Sequence, residues 1–168
     1  LPRAAWPAGG ITCSVQDLLV YAQFHLGDGK ESSGVLPRQE SLLQMQTPQV
    51  TVWKKESWGL TWAVNDTYAA RLVSHEGGTV GQVSALILVP EKAFAIAVLT
   101  NADEGGQVTL KVTRRALKDY LDIVITDPEP MEVEEKVLAQ YAGAYTRPFM
   151  DIHLGLLGGR LICQAIPK

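Results

Sequence analysis

The stretch Val73–Ala102, VSHEGGTVGQVSALILVPEKAFAIAVLTNA, decides how the rest of the chain is read. Val83 to Val89 reads as a strand rich in β-branched and aliphatic residues. Pro90-Glu91-Lys92 is too short for a crossover, so the apolar run Ala93–Leu99 must return as its antiparallel partner. An unbroken apolar strand of this kind is expected to be covered on both faces. Ahead of this hairpin, His75, Glu76, Gly77 and Gly78 stand at the end of a strand that begins near Tyr68, and Gly81 permits a sharp reversal. A glycine pair at a strand end lets the backbone approach a ligand and present bare N–H groups. Such donors can stabilise an oxyanion, while a neighbouring imidazole binds or moves protons. Alone, the same residues also suit a plain turn.

Working outward, Ser14 can cap a helix with Asp17 as its N3 partner, and Val15, Leu18, Leu19, Ala22 and Leu26 recur at helical spacing before Gly27. A polar stretch from Gly27 to Gly34 follows. Pro37 suits the first turn of a second helix through Met45, which Pro48 closes off. Ser57–Val64 and Tyr68–His75 then read as two strands joined by a turn at Asn65-Asp66. Beyond Asn101, the spacing of Leu110, Thr113, Leu117, Tyr120 and Leu121 predicts a helix from about Gly105 to Asp122. Thr126 to Glu135, with two prolines and four glutamates, reads as a linker. A helical turn near Val137 and strands at Tyr141–Thr146, Met150–Leu154 and Arg160–Ile166 complete the chain, with turns at Arg147-Pro148 and Gly158-Gly159. About thirty residues are too few for an independently stable sheet domain. The domains are therefore expected at 1–124, with a linker at 125–137 and the incomplete start of a β-rich domain at 138–168.

The 168 residues, 46% hydrophobic and 20% charged, are too apolar for disorder. A formal net charge of −3, from 15 basic and 18 acidic side chains, gives no support for a nucleic-acid partner. No apolar run reaches the roughly 20 residues of a transmembrane helix. The N-terminus, Leu1-Pro2-Arg3-Ala4-Ala5-Trp6-Pro7, has neither an initiating Met nor a signal-peptide core, so the chain is expected to be a piece of something longer. Cys13 and Cys163 lack metal-ligand spacing and are expected as buried free thiols. His25 is expected as a surface residue or a dipole partner at a helix C-terminus. His153 has no chemical partner nearby in sequence. Trp53, Trp58 and Trp62 are expected in packing rather than as a stacking platform. The three dispersed histidines suggest no metal site, and no cofactor is expected.

The order of short motifs adds a further reading. Pro7-Ala8-Gly9-Gly10-Ile11, Asp17-Leu18, Leu36-Pro37, Trp58-Gly59-Leu60-Thr61-Trp62, His75-Glu76-Gly77-Gly78, Val89-Pro90-Glu91-Lys92 and Leu99-Thr100-Asn101 follow one another over residues 6 to 122. This series resembles the serine β-lactamase, penicillin-binding-protein and esterase superfamily, especially its class C-like branch. The resemblance implies an α+β fold: part of a helical subdomain, then antiparallel strands with a C-terminal helix on one face. It also implies hydrolysis of an amide or ester through an acyl-serine intermediate, with β-lactams, D-amino-acid peptides or small esters as substrates. A Ser-x-x-Lys would supply nucleophile and base, a Tyr-x-Asn or Ser-x-Asn the proton relay, and a Lys/His-x-Gly strand the wall of the site. His75-Glu76-Gly77 resembles that third motif, with His75 where many members carry Lys. Gly78 would donate its N–H to the oxyanion, and Glu76 and Asn101 stand where the family contacts substrate. Glu76 departs from the Thr or Ser frequent there.

No Ser in the chain is followed by Lys three residues on, and no Tyr or Ser by Asn two residues on. In the family both motifs lie upstream. The chain by itself is therefore expected to be inactive, with the missing N-terminal half of the same protein as its partner and a small molecule or peptide as substrate. In the family the strand resembling Ala93–Leu99 lies mid-sheet, beside an N-terminal strand absent here. A periplasmic or extracellular location follows from the resemblance alone. The rival reading is a non-catalytic module that recognises cell-wall peptide or a protein partner.

Overall fold

The computed structural model describes residues 3–27, 39–53, 56–127, 129 and 131–168. They form two compact units, Leu1–Thr126 and Asp127–Lys168. The fold class is α+β with antiparallel sheets, as the sequence implies.

The first unit begins with a short turn α1 (Trp6–Gly9) and the helix α2 (Val15–His25). Ser14 and Asp17 close the start of α2 reciprocally, the Ser14 hydroxyl accepting from the Asp17 N–H and the Asp17 carboxylate accepting from the Ser14 N–H. The Ser14 hydroxyl also donates to the Asp17 carboxylate at 2.7 Å, and this bond, with that from the Ser14 N–H, holds the Asp17 carboxyl below its ordinary range. The described part of the next helix, α3, is Gln39–Met45. The start at Leu36-Pro37 and the stretch after Gly27 lie outside the described residues.

Six strands follow as an antiparallel meander, each paired with the next. They are β1 (Val50–Trp53), β2 (Glu56–Trp58), β3 (Ala63–Asn65), β4 (Leu72–Thr79), β5 (Gln82–Val89) and β6 (Phe94–Thr100). Two strand expectations need correction. Ser57–Val64 is a hairpin rather than one strand, with Ser57 paired to Val64. Its turn reverses at Thr61, whose φ is +69°, and is fixed from outside by the Leu60 N–H donating to the Met45 carbonyl at 2.9 Å. The strand placed at Tyr68–His75 starts at Leu72 and runs on to Thr79, so the His-Glu-Gly-Gly segment lies within it. Strand β1 has no counterpart among the sequence expectations.

The β5–β6 connection is the tight reversal expected. Pro90–Lys92 makes one 3₁₀ turn, and Ala93 in the left-handed region completes it. Side chains on β4 to β6 alternate between two cores. One holds Val73, Leu86 and Leu88 with Ala22 of α2, Trp62 and Val64, and half-buried Ala95 and Ala97 pack onto it. The other holds Leu72, Val89, Ile123 and Leu117, the last from α4 (Gly105–Leu121), with Phe94 and Ile87 packed on it. The sheet is thus covered by α2 on one face and α4 on the other. Gly105, Thr109, Thr113 and Leu117, four apart, form the buried stripe of α4.

His25 is a correction as well. It is only 6% exposed, ringed by Tyr21, Phe24 and Trp62, and bonded to Gln46. The cysteines are free thiols, but both are exposed rather than buried. Each follows from local position: Cys13 precedes the α2 cap, and Cys163 lies on a thin three-stranded sheet.

That sheet belongs to the second unit. After α5 (Glu135–Leu138), β7 (Gly143–Arg147), β8 (Met150–Leu157) and β9 (Arg160–Pro167) pair in sequence order. Gly158 and Gly159, at φ +57° and +71°, form the two-residue turn between β8 and β9. His153 is exposed on β8, opposite Ala144 and Gln164.

Candidate active site

The candidate site is the distal half of β4. Strand β3 is three residues long, and its last rung on β4 is Ala63 with Ser74. From His75 to Thr79, β4 is paired on the β5 side only; no strand among the described residues pairs with its other edge, and the short turn α1 contacts β4. Which backbone groups occupy that edge follows from the turn. Val80 and Gly81 form a two-residue loop between Thr79 and Gln82, so Thr79 and Gln82 exchange hydrogen bonds. The antiparallel alternation then turns Gly77 and His75 toward β5, and Gly78 and Glu76 toward the open edge. Two details agree. Ser84 Oγ lies 3.5 Å from the Gly77 carbonyl, on the β5 side. Ser74, the next in the outward series, is the residue that pairs with β3.

The side chains divide differently. His75 shares its row with Leu86 and Ala97, on the α2 face. It is exposed, because α2 covers the rows below it and not the end of the sheet. The Trp58 indole stands against it, with ring centroids 6.0 Å apart. The next row, Gly77, Ser84 and Leu99, is shallow, since Gly77 has no side chain and Leu99 is 42% exposed. By the strand alternation Glu76 points to the α4 face, where a cavity of about 90 Å³ lies among Glu76, Ala85, Thr109, Thr113 and Arg114, with His75 also on its rim. His75 and Glu76, adjacent in sequence, therefore serve opposite faces of the sheet.

A Cβ at Gly78 would meet nothing within 4 Å, so the face of the sheet is bare at this residue. Asn101 follows the last rung of β6, where Thr100 pairs with Val83, which pairs with Gly78. At about 4.8 Å per strand it lies about 10 Å across the sheet from Gly78, on the side away from the open edge. The structure thus brings His75, Gly77 and Gly78 together at one edge, with Glu76 behind it and Asn101 at the sheet end beyond β5. A wider depression of about 460 Å³ lies on the outer surface of α4, between Lys111, Arg115 and Tyr120, and includes none of these residues. Among the described residues no group of His, Cys, Asp or Glu is arranged to hold a metal. No helix among them is long and apolar enough to cross a membrane.

Two residues near the site did not stand out in the sequence as part of it. Trp58, expected in packing, does pack, and its partner is His75 at the strand end. Asp103 accepts a 2.6 Å hydrogen bond from the Gly81 N–H and ties the β4–β5 turn to the loop after β6.

The profile of the Beta-lactamase family matches residues 1–120. The chain belongs to this family. It is 27% identical to penicillin-binding protein 4 of Amycolatopsis lactamdurans over 160 residues, which cover 88% of this chain and 41% of that protein. It is 31% identical over 122 residues to the mitochondrial serine beta-lactamase-like protein LACTB of Mus musculus, covering 60% of the chain and 22% of that protein. The fold is that of solved relatives. SurE in complex with D-Leu superposes with a TM-score of 0.63 at 22% identity, over 90% of this chain and 37% of that one. The octameric penicillin-binding protein homologue from Pyrococcus abyssi gives 0.56 at 21% identity, over 94% and 39%. The chain thus spans about two fifths or less of the length of these relatives. It is a β-lactamase and penicillin-binding-protein superfamily member.

Proposed function

We propose that this chain supplies the substrate-binding strand of a serine hydrolase acting on amide or ester bonds, with the nucleophile and base carried outside these 168 residues. The observation that carries the reading is the open edge of β4, where the backbone of Gly78 and Glu76 faces outward beside an exposed His75. In this reading a serine Oγ attacks the substrate carbonyl carbon and its proton passes to the neighbouring base. The carbonyl electrons move onto oxygen, which the Gly78 N–H receives. The carbonyl re-forms as the protonated amine or alcohol leaves, and water repeats the sequence on the acyl-serine. His75 engages an acidic group of the substrate or the proton relay. Gly77 keeps the floor low, and Glu76 meets substrate through its backbone rather than its carboxylate. Asn101 borders the same end of the sheet. β-Lactams and D-amino-acid peptides fit such an edge, offering a carbonyl flanked by polar groups that can pair with a strand, and small esters offer the carbonyl alone.

The test is reconstitution. The purified chain should neither hydrolyse nitrocefin or p-nitrophenyl esters nor take a fluorophosphonate or penicillin label. Adding the upstream half, joined or as a separate polypeptide, should restore labelling. A stoichiometric adduct on Ser74 or Ser84 of the chain alone would refute the assignment. A completed protein that binds cell-wall peptide without turnover would instead support the non-catalytic module.

A further inference from the structure

We propose that Asp103 is a positioning residue for this site, holding the β4–β5 turn so that the Gly78 amide keeps its direction; the catalytic part of this rests on the reading above. The turn needs a tether. The Thr79–Gln82 rung projects one step past the last β5–β6 rung, Val83 with Thr100, so β6 does not support it. Three of the five residues from Gly77 to Gly81 are glycine, the least constrained of residues, and Val80 at the tip is 98% exposed. A projecting hairpin of this composition would sway, and Gly78 is one residue from the rung that would move.

Asp103 supplies the support. Its Oδ1 accepts the Gly81 N–H at 2.6 Å, a short, charge-assisted bond. The loop bearing it is itself fixed at both ends. The Thr100 hydroxyl donates to the Val83 carbonyl at 2.8 Å, and the Gly105 N–H donates to the Ala102 carbonyl at 3.0 Å. Gly105 lies so close to Thr100 that a Cβ there would overlap its hydroxyl, so the start of α4 is seated directly on β6. The rigidity of the helix start passes through Asp103 to the turn, and from the turn to Gly78.

A competing role is electrostatic, since a carboxylate two residues ahead of α4 also favours the positive end of the helix. Asn at 103 separates the two, because it keeps an oxygen acceptor and loses the charge. Amide exchange on the chain itself is the first readout. Asp103→Ala should speed exchange at Gly81 and at the Thr79–Gln82 rung by about tenfold, whereas Asp103→Asn should stay close to wild type. In the completed protein, Asp103→Ala should lower kcat by about tenfold with KM within about twofold, and Asp103→Asn should restore it. Asp103→Ser, too short to reach Gly81 but favourable ahead of a helix, replaces the Ala variant if α4 is lost. Unchanged exchange in Asp103→Ala, an Asn variant as impaired as Ala, or unchanged kcat would each overturn the proposal. A completed protein that is inert with Asp103 intact counts against the hydrolase reading, and the exchange comparison still decides the tether.

Discussion

The indole of Trp58 meets the imidazole of His75 nearly at right angles, 86° between planes, across the gap left by the short β3. Trp58 sits on the rung with Ala63, and Ala63 pairs with Ser74, the last β4 residue that β3 reaches. The ring therefore closes one end of the open edge and restricts the swing of His75. Trp58→Leu should abolish the ring-current displacement of the His75 ring protons in NMR spectra. It should cost about 0.5–1.5 kcal/mol in urea unfolding, the usual worth of an edge-to-face pair. Unaltered His75 resonances would mean that the two rings do not meet in solution.

Two adjacent glycines at the start of α4 should respond oppositely to the same change. A Cβ at Gly105 would fall 1.8 Å from Thr100 Oγ1 and 2.7 Å from its Cβ, whereas at Gly106 nothing lies within 4 Å. Neither has positive φ, so backbone strain does not enter. Gly105→Ala should therefore destabilise by about 1–3 kcal/mol, as overpacking does. Gly106→Ala should be neutral or stabilise by up to about 1 kcal/mol through the unfolded chain. Thermal unfolding of the two variants decides this, and equal melting temperatures would show that α4 is not seated on β6.

His25 gives the fold a dependence on acid. Burial among Tyr21, Phe24 and Trp62 lowers its pKa below the ordinary 6.5. The Gln46 amide donates to the His25 carbonyl at 2.9 Å and lies 3.4 Å from Nδ1, an arrangement suited to a neutral ring accepting there. With the folded pKa depressed, the unfolded chain takes up the proton first as pH falls. The contribution of His25 is thus fully present above about pH 6.5 and declines below it. Urea midpoints should fall between about pH 7.5 and pH 5, and His25→Gln should flatten that part of the profile. Identical slopes in both proteins would exclude His25 as the cause.

How far the sequence could be read depended on how local each cause was. The Ser14–Asp17 cap, the Pro90–Lys92 reversal and the Gly158-Gly159 turn are each determined within a few residues, and each was legible. The Gly59–Trp62 turn was not, because its Thr61 conformation is held by Met45 from another segment. The burial of His25 is not written locally either, its partner Gln46 lying 21 residues away. In α4 the stripe of larger residues, Leu110 and Tyr120, faces outward, while small Thr109 and Thr113 face the sheet with hydroxyls bonded to their own helix. At the candidate site, period-two alternation already separates His75 from Glu76. The open edge is different: it exists because β3 stops at Ala63, and no residue of β4 records that.

The other open edge of the sheet lies along β6, and the same alternation predicts which of its groups are unpaired. Gln82 bonds to Thr79, so Val83 turns toward β6 and pairs with Thr100. Val98, Ile96 and Phe94 then point to β5, and Leu99, Ala97 and Ala95 point outward. Strand β6 ends the sheet, and no strand among the described residues pairs with this side. An apolar edge without charge or proline invites another strand, so the purified chain should self-associate. The register separates association from folding. Proline at 98 removes a donor from the β5–β6 ladder and should cost about 1–3 kcal/mol for the carbonyl left unpaired. Proline at 99 removes an outward N–H instead, leaves the ladder complete, and should reduce association while the chain remains folded. Light scattering with circular dichroism on the two variants reads both effects. A wild-type chain that stays monomeric at high concentration, or a Leu99→Pro variant as unfolded as Val98→Pro, would show that the outward groups are not free to pair.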